Sequence, residues 1–545
     1  MKRVSLFLGI IICAASLVSC GNDSRGDGTG HMYNAPLLGN PESLDPQFAD
    51  DPSSNTVIKN LYSGLMQIDS SGNVVCCNAE SYTVSDDGLI YTFRLKDDNF
   101  WFFDVNDDDV ITEDEYFPVT AKDYVFALQR ILDPKMKSPY AGEFMCIMGA
   151  SSVIYGEEPV SSAEILAADE HTLMIVLERP NVEFLSLMAS PASYPCNEEF
   201  FNSTKGRYGL DDRSVMSNGA FYVRQWFYDD YGNNNILYMK RNDANWSETF
   251  DIAPSFLSFT IERSESDIRE IFKKDEIECF TTPDASAYNT EKYSVNGISA
   301  TTLGLIFNTK DKYFSNENLR KALSLAIDRD SVSNELDSDL QIAGGIIPPA
   351  VKFHGRSYRE LVSDKQFVSY NKEEAVNCCN TAKKELKTET VESVRILVNA
   401  ETVNSACLHL ISQQWQDILG LYISIEDVTP DEFYQRIADG DYSIALYPVK
   451  GRSANAVSVI REFENTKCLE KTVPEEKLSS SLMCCNSVDE VIQSCTSAES
   501  TIIDSGLFIP LFYKNSYLIA DKDNEQIIYD PFTGSVDYRL ALNYD

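Results

Sequence analysis

The chain has 545 residues, a formal net charge of −38 and a hydrophobic content of 43%. So much negative charge repels nucleic-acid phosphates and anionic lipid, which argues against a nucleic-acid partner. The length exceeds the ~250–300 residues at which a single core stops growing, so more than one lobe is expected.

Met1, Lys2 and Arg3 precede an apolar run from Val4 to Val18 that ends at Ser19-Cys20-Gly21. A basic start, a short apolar segment and small residues at its end form a secretory signal; the run is too short for the ~20 residues that span a bilayer. Leu17-Val18-Ser19-Cys20 resembles the lipobox of bacterial lipoproteins, which implies cleavage before Cys20 and lipidation of its thiol. Residues 1–20 are thus read as a lipoprotein signal peptide. Residues 21–34 are read as a flexible tether, opening with the Gly-, Asp- and Ser-rich stretch GNDSRGDGTG. Loss of Lys2 and Arg3 takes the charge from −38 to −40. The expected location is extracytoplasmic, on the outer face of the cell membrane or in the periplasm, held by acyl chains that contribute about 0.8 kcal/mol per buried methylene.

Beyond the tether, strands and helices alternate. Tyr91, Phe93 and Leu95 alternate with Thr92, Arg94 and Lys96, the pattern of a half-buried strand. Residues 104–115 (DVNDDDVITEDE) have the spacing of the twelve-residue calcium loop, with oxygens from Asp104, Asn106, Asp108, the Val110 carbonyl, Thr112 and a bidentate Glu115. Asp109 replaces the glycine that makes the sharp turn of such loops, and Asp enters the left-handed region only at some cost. A calcium ion here would stiffen the loop; the other reading is a solvated acidic loop. Thr120 is expected to cap a helix with Asp123 at its third position, and Tyr124, Ala127, Leu128, Ile131 and Leu132 form its apolar stripe before Asp133-Pro134. His171–Leu177 and Ile236–Lys240 read as strands. Ser315 is expected to cap a second amphipathic helix with Leu319, Ala322, Leu323, Ala326 and Ile327 on one face. The elements give an α/β or α+β class with mixed sheets.

Several segments then occur in a recognisable order. They are Glu42-Ser43-Leu44-Asp45-Pro46, Leu61-Tyr62-Ser63-Gly64-Leu65, the run 85–95 (SDDGLIYTFRL) with Trp101 behind it, and 119–130 (VTAKDYVFALQR) with Leu132-Asp133-Pro134. Ser217-Asn218-Gly219-Ala220-Phe221, Arg241-Asn242 with Trp246, Phe307-Asn308, 319–329 (LRKALSLAIDR) and Ile347-Pro348-Pro349 follow. With these the chain resembles the oligopeptide- and dipeptide-type (family 5) extracellular solute-binding proteins of ABC transporters. The resemblance implies an α/β, type II periplasmic-binding-protein-like fold, two lobes with a hinge and an extra subdomain inserted in the first lobe. It places lobe I at 35–72, 210–300 and 505–545, with Phe508-Ile509-Pro510-Leu511 returning to it. The inserted subdomain falls at 73–209 and lobe II at 301–504. Asp86-Asp87-Gly88 and Asn218-Gly219 are read as turns.

The resemblance implies a lipid-anchored receptor, expected as a monomer, that delivers a ligand to ABC transporter permease subunits. An oligopeptide is the expected ligand; an oligosaccharide or other small solute is the alternative, and a surface adhesin or sensor without a transport role is a third reading. Similar peptide binders carry Asp in a Trp-x-x-Asp-Tyr segment, where it pairs with the peptide amino group. The matching stretch here is 445–452 (ALYPVKGR), with Lys450 at that place. A cation there suits a carboxylate, so Tyr447, Lys450 and Arg452 are the candidate ligand residues, with solvated loop cations as the plainer reading of the last two.

Nickel is discounted, since His31, His171, His354 and His409 are scattered. Of 14 cysteines, Cys13 and Cys20 fall in the leader, and the adjacent pairs Cys76-Cys77, Cys378-Cys379 and Cys484-Cys485 have no zinc spacing. No Gly-x-Ser-x-Gly, His-Glu-x-x-His or Gly-rich phosphate loop occurs, so the chain is read as a binder and not an enzyme, with no cofactor required.

Overall fold

The computed structural model describes residues 31–543 except 70–71, 106–111, 113–114, 233, 244–251, 354, 366, 392–393, 403–405, 473–477, 484 and 486. Cys20, residues 21–30 of the tether, and Asn106, Asp108 and Val110 of the acidic loop lie outside the described residues. Among the described residues, no helix is long and apolar enough to cross a membrane.

Three sheets organise the molecule. The first has strands Met32–Leu38, Phe256–Glu262, Ile236–Arg241 and Phe221–Phe227 in that order. Met32–Leu38 runs parallel to Phe256–Glu262, and the other pairs are antiparallel. The second is an antiparallel sheet of Ala79–Val84, Ile90–Leu95, Thr172–Val176 and Ile165–Asp169, lying in sequence between the first two strands of the first sheet. Its alternation is the one expected: Tyr91, Phe93 and Leu95 are buried and Arg94 is exposed. The third sheet has seven strands, in the order Cys279–Thr282, Phe508–Asp521, Tyr293–Phe307, Ile444–Val449, Arg395–Asn399 and Ser424–Val428, with Leu340–Ile342 added to Phe508–Asp521. Its last three strands are parallel.

Local chemistry explains the helix that begins at Ala121. The Asp123 carboxylate accepts the Thr120 backbone N–H at 2.7 Å and the Thr120 hydroxyl at 3.0 Å, satisfying groups at the helix entry. Tyr124, Ala127, Leu128, Ile131 and Leu132 are all buried, and the helix ends at Asp133. The second amphipathic helix begins one residue later than expected. Asn316, not Ser315, is its cap, because the Asn316 side chain accepts the Leu319 N–H at 3.0 Å. Gly88 has φ of 71°, the left-handed turn expected after Asp86-Asp87. Gly219 is required for another reason. A Cβ there would lie 2.7 Å from the Leu61 backbone, and Asn218 beside it holds Ser63 by both its backbone N–H (3.1 Å) and its carbonyl (2.9 Å).

Two long strands join the lobes. Tyr293–Phe307 and Phe508–Asp521 pair from Tyr293 with Asp521 to Ile306 with Phe508, with register shifts at Ser299/Thr301 and Leu303/Gly304. A strand of 14 residues reaches about 46 Å, enough to enter two cores. At one end Leu303, Leu305, Ile509, Leu511 and Phe512 share a core with Leu323, Trp415 and Leu446. At the other, Tyr517 and Ile519 pack with Ile268, Phe272 and Phe280. Ile509 and Leu511, expected to return to the first lobe, instead share the core of Leu323, Trp415 and Leu446, and Tyr517 and Ile519 lie in the other. All eleven described cysteines carry free thiols.

Candidate functional site

The parallel strands Arg395–Asn399, Ser424–Val428 and Ile444–Val449 end at one edge of the large sheet, the usual ligand edge of such sheets. Tyr447 and Pro448 lie at the end of Ile444–Val449, opposite Gly304 and Leu303. The chain then turns through Lys450, Gly451 and Arg452 into the helix Ala456–Asn465. The turn is fixed from the helix side. The Ser458 hydroxyl accepts the N–H groups of Arg452 (2.7 Å) and Ser453 (3.3 Å), and the Asn455 side chain accepts that of Val457 (2.6 Å). A Cβ on Gly451 would sit 3.0 Å from Val459, so this approach admits little else. The helix is anchored below by Phe463, packed edge-on to Phe508 at 4.9 Å, and Phe508 occupies the space a Cβ on Gly304 would take.

Two adjoining cavities open on this turn. One of about 310 Å³ is lined by Thr301, Tyr434, Tyr447, Lys450, Glu462 and Leu469. The other, about 260 Å³, adds Asp50, Asn55, Tyr140, Arg452 and Phe532. Lys450 and Glu462 line both, and the first alone reaches the lower end of the ~300–1,000 Å³ range of ligand sites. Asp50, Asn55, Tyr140 and Phe532 come from the first lobe and its neighbours, and the other residues from the second. The cavity is an inter-lobe cleft.

Its electrostatics follow from burial. Burial pushes the Glu143 carboxyl up to about 7, against the downward pull of Arg461 and Arg452. Burial also raises Glu462, which Arg452 partly offsets. Arg452 pairs with Asp50 at 3.5 Å and Glu462 at 3.8 Å. Lys450 is exposed to the cleft, and the walls around it lower its pKa while Asp530 acts in the opposite sense. Tyr447 is half-buried, 6.5 Å from the Phe433 ring in a near-parallel stack, and its hydroxyl faces the Cys468 thiol, the two groups acting on each other. Burial pushes the Cys468 thiol up to about 11, so it is not a nucleophile at neutral pH.

The structure thus brings Tyr447, Lys450 and Arg452 to one cleft. Asp50, Tyr140, Glu143, Tyr434 and Glu462 were missed by sequence reasoning; they come from distant segments and no local motif marks them. The acidic loop is elsewhere. Of its expected ligands only Asp104, Thr112 and Glu115 are described. Glu115 is buried, and its carboxylate accepts the N–H groups of Val105 and Thr112 (3.1 Å each) and the Thr112 hydroxyl (2.8 Å). Arg213 donates to the carbonyls of Asp104 and Val105. Among the described residues, no group of three or more His, Cys, Asp or Glu is placed to hold a metal. A cavity of about 450 Å³ beside Asp104 is lined wholly by residues 61–238 and does not reach the cleft.

Comparison with known proteins agrees with this fold. Dipeptide-binding protein DppE of Bacillus subtilis is 22% identical over 568 residues, covering 99% of each chain. Oligopeptide-binding protein AliB of Streptococcus pneumoniae is 26% identical over 501 residues, covering 80% of this chain and 74% of its own. Among solved structures, the pheromone receptor PrgZ superposes with a TM-score of 0.71 at 23% identity, covering 94% of this chain and 99% of its own. Listeria monocytogenes OppA bound to peptide gives 0.70 at 21%, with the same coverage. The sequence model of the bacterial extracellular solute-binding proteins, family 5, matches residues 73–467, and the chain belongs to that family.

Proposed function

We propose that the chain is an extracytoplasmic receptor that closes its two lobes over a short peptide and presents it to the permease of an ABC importer. The observation that carries this is the inter-lobe cleft, walled by Tyr140, Tyr434 and Tyr447 and bordered by charged groups from both lobes. Aromatic walls with a few polar anchors suit a ligand of mixed side chains and a repeating polar backbone. The relatives named above bind dipeptides or oligopeptides, which supports the same class here. Tyr447 is assigned to the ligand wall, Lys450 to its polar anchor and Arg452 to the joint between lobes. A lipid at Cys20 would hold the receptor beside its permease, working as a monomer. Calcium in the 104–115 loop is proposed as a structural ligand only; it would raise the melting temperature and EDTA would reverse the effect.

The test is thermal unfolding of the purified protein with di- to octapeptides and, separately, with oligosaccharides. A ligand that binds only the native state adds about 2.7 kcal/mol at a hundredfold excess over its dissociation constant. Shifts with peptides are expected. Shifts with sugars alone would replace the ligand class, and no shift with either would remove the receptor reading.

A further inference from the structure

We infer that the cleft takes an anionic ligand and that Lys450 receives its carboxylate. The inference rests on the cleft being the ligand site, and it concerns the ligand's charge, which the peptide reading leaves open.

Lys450 follows directly on the strand Ile444–Val449, at the ligand edge of the sheet, and it lines both cavities. Its side chain is open to the cleft. No hydrogen bond or ion pair to it occurs among the described residues. The other charges that line the cleft are committed to each other: Arg452 pairs with Asp50 and with Glu462. Asp530 is the carboxylate whose field reaches Lys450. Its oxygens accept the Phe532 N–H at 2.9 Å and the Thr533 hydroxyl at 3.0 Å, which hold the carboxylate in place beside its own turn. Among the described residues no carboxylate lies within ion-pair distance of Lys450, so Asp530 acts on it only from further off, and the surrounding walls make its ammonium less well solvated than one on the outer surface.

An ammonium so placed gains most from an anion that arrives with the ligand. It is a compact point charge with three donors, so it reads charge and imposes little orientation. An ammonium arriving instead would meet repulsion from Lys450. Because the chain as a whole carries −38, an acidic ligand is repelled at long range and needs this local attraction to bind. For a peptide the carboxylate has two sources, the C-terminus or an acidic side chain.

The experiment is isothermal titration of the full chain and of Lys450→Met, which keeps the side-chain length and removes the charge. The probes are trialanine, trialanine amide and Ala-Glu-Ala amide, with digalacturonate against lactose as a non-peptide pair. The wild type is expected to prefer at least one carboxylate-bearing peptide over trialanine amide by about tenfold or more. A preference for trialanine places the C-terminus at Lys450, and one for Ala-Glu-Ala amide places an acidic side chain there. Lys450→Met, with its melting temperature unchanged, should reduce the preference to about twofold or less. If no peptide binds but digalacturonate is preferred over lactose in a Lys450-dependent way, the peptide reading fails and the anion assignment stands. A wild type that does not discriminate, or a discrimination that survives Lys450→Met, overturns the assignment.

Discussion

Arg452 and Asp50 meet across the cleft, Nη1 to Oδ2 at 3.5 Å, although they are 402 positions apart in the sequence. Asp50 directly precedes Asp51, the cap of the helix Pro52–Leu61 in the first lobe, and Arg452 belongs to the turn after Tyr447 in the second. The contact exists only while the lobes are together. Both side chains are partly exposed, so the pair is worth about 0.2–1 kcal/mol and is screened by salt.

Removing it should favour the open form. Arg452→Ala is expected to increase the radius of gyration of the ligand-free protein in low salt, measured by small-angle X-ray scattering, and to weaken ligand binding two- to fivefold, as the loss of about 0.5–1 kcal/mol implies. The difference from wild type should shrink in 1 M salt. An unchanged radius in low salt would show that this pair does not hold the lobes.

Glu143 faces the same interface from the first-lobe side. It lies beside Arg461, whose guanidinium fits there because Gly142 has no Cβ to collide with it. Burial lifts the Glu143 carboxyl from 4.5 to about 7, so the folded chain holds the proton more tightly than the unfolded one. The stability this gives is full below pH ~4.5 and is lost as pH rises through about 7. Its upper limit is roughly 3 kcal/mol. Glu143→Gln keeps a neutral side chain at every pH. It should match the wild type near pH 4 and exceed its urea midpoint at pH 8. A variant less stable than wild type at pH 8 would mean that the Arg461 attraction outweighs burial.

Glu499 is a second buried carboxylate, fully enclosed in the second lobe. It accepts the N–H groups of Ile346 (2.6 Å) and Ile347 (2.7 Å) and the Tyr358 hydroxyl (2.9 Å), and it pairs with Arg359. The Ile346 carbonyl in turn accepts the Thr302 hydroxyl at 2.6 Å, which ties this cluster to the strand that borders the cleft. Glu499→Gln puts an amide where donors already converge and leaves the Arg359 cation unpaired. Losing one member of a buried pair costs about 3–5 kcal/mol, read as a lower urea midpoint. A loss below about 1 kcal/mol would show that water or another group takes over.

The fold was more legible than the site, because fold signals are local. Thr120 and Asp123 are three residues apart and make their contacts within one turn, and the alternation of Tyr91, Phe93 and Leu95 reports one sheet face directly. Where two neighbours competed, as Ser315 and Asn316 did, periodicity alone could not choose the cap; the longer Asn side chain reaches the Leu319 N–H. The crossing of the last long strand was misplaced because an apolar run such as Phe508–Leu511 suits either core equally. The cleft is non-local by construction. Tyr447, Lys450 and Arg452 were visible as a segment, but Asp50, Tyr140 and Glu143 join them only through the closure of two lobes. For the same reason the sequence could not show that Arg452 is already paired while Lys450 is not.

That division of labour makes Tyr447 the clearest test of the cleft wall. Its ring stacks on Phe433 and lines the larger of the two cleft cavities, while its hydroxyl interacts with the Cys468 thiol. The ring should therefore matter to the ligand and the hydroxyl should not. Tyr447→Ala removes an aromatic surface worth about 1.5–3 kcal/mol when covered, so peptide affinity should fall about 10- to 100-fold. Tyr447→Phe keeps the ring and loses one weak hydrogen bond to sulfur, so affinity should stay within about threefold, with a melting temperature slightly lowered. Titration calorimetry on both variants separates the two contributions. Equal losses in Tyr447→Phe and Tyr447→Ala would mean that the hydroxyl leaves Cys468 to bind the ligand, and no loss in either would place the ligand outside the larger cavity.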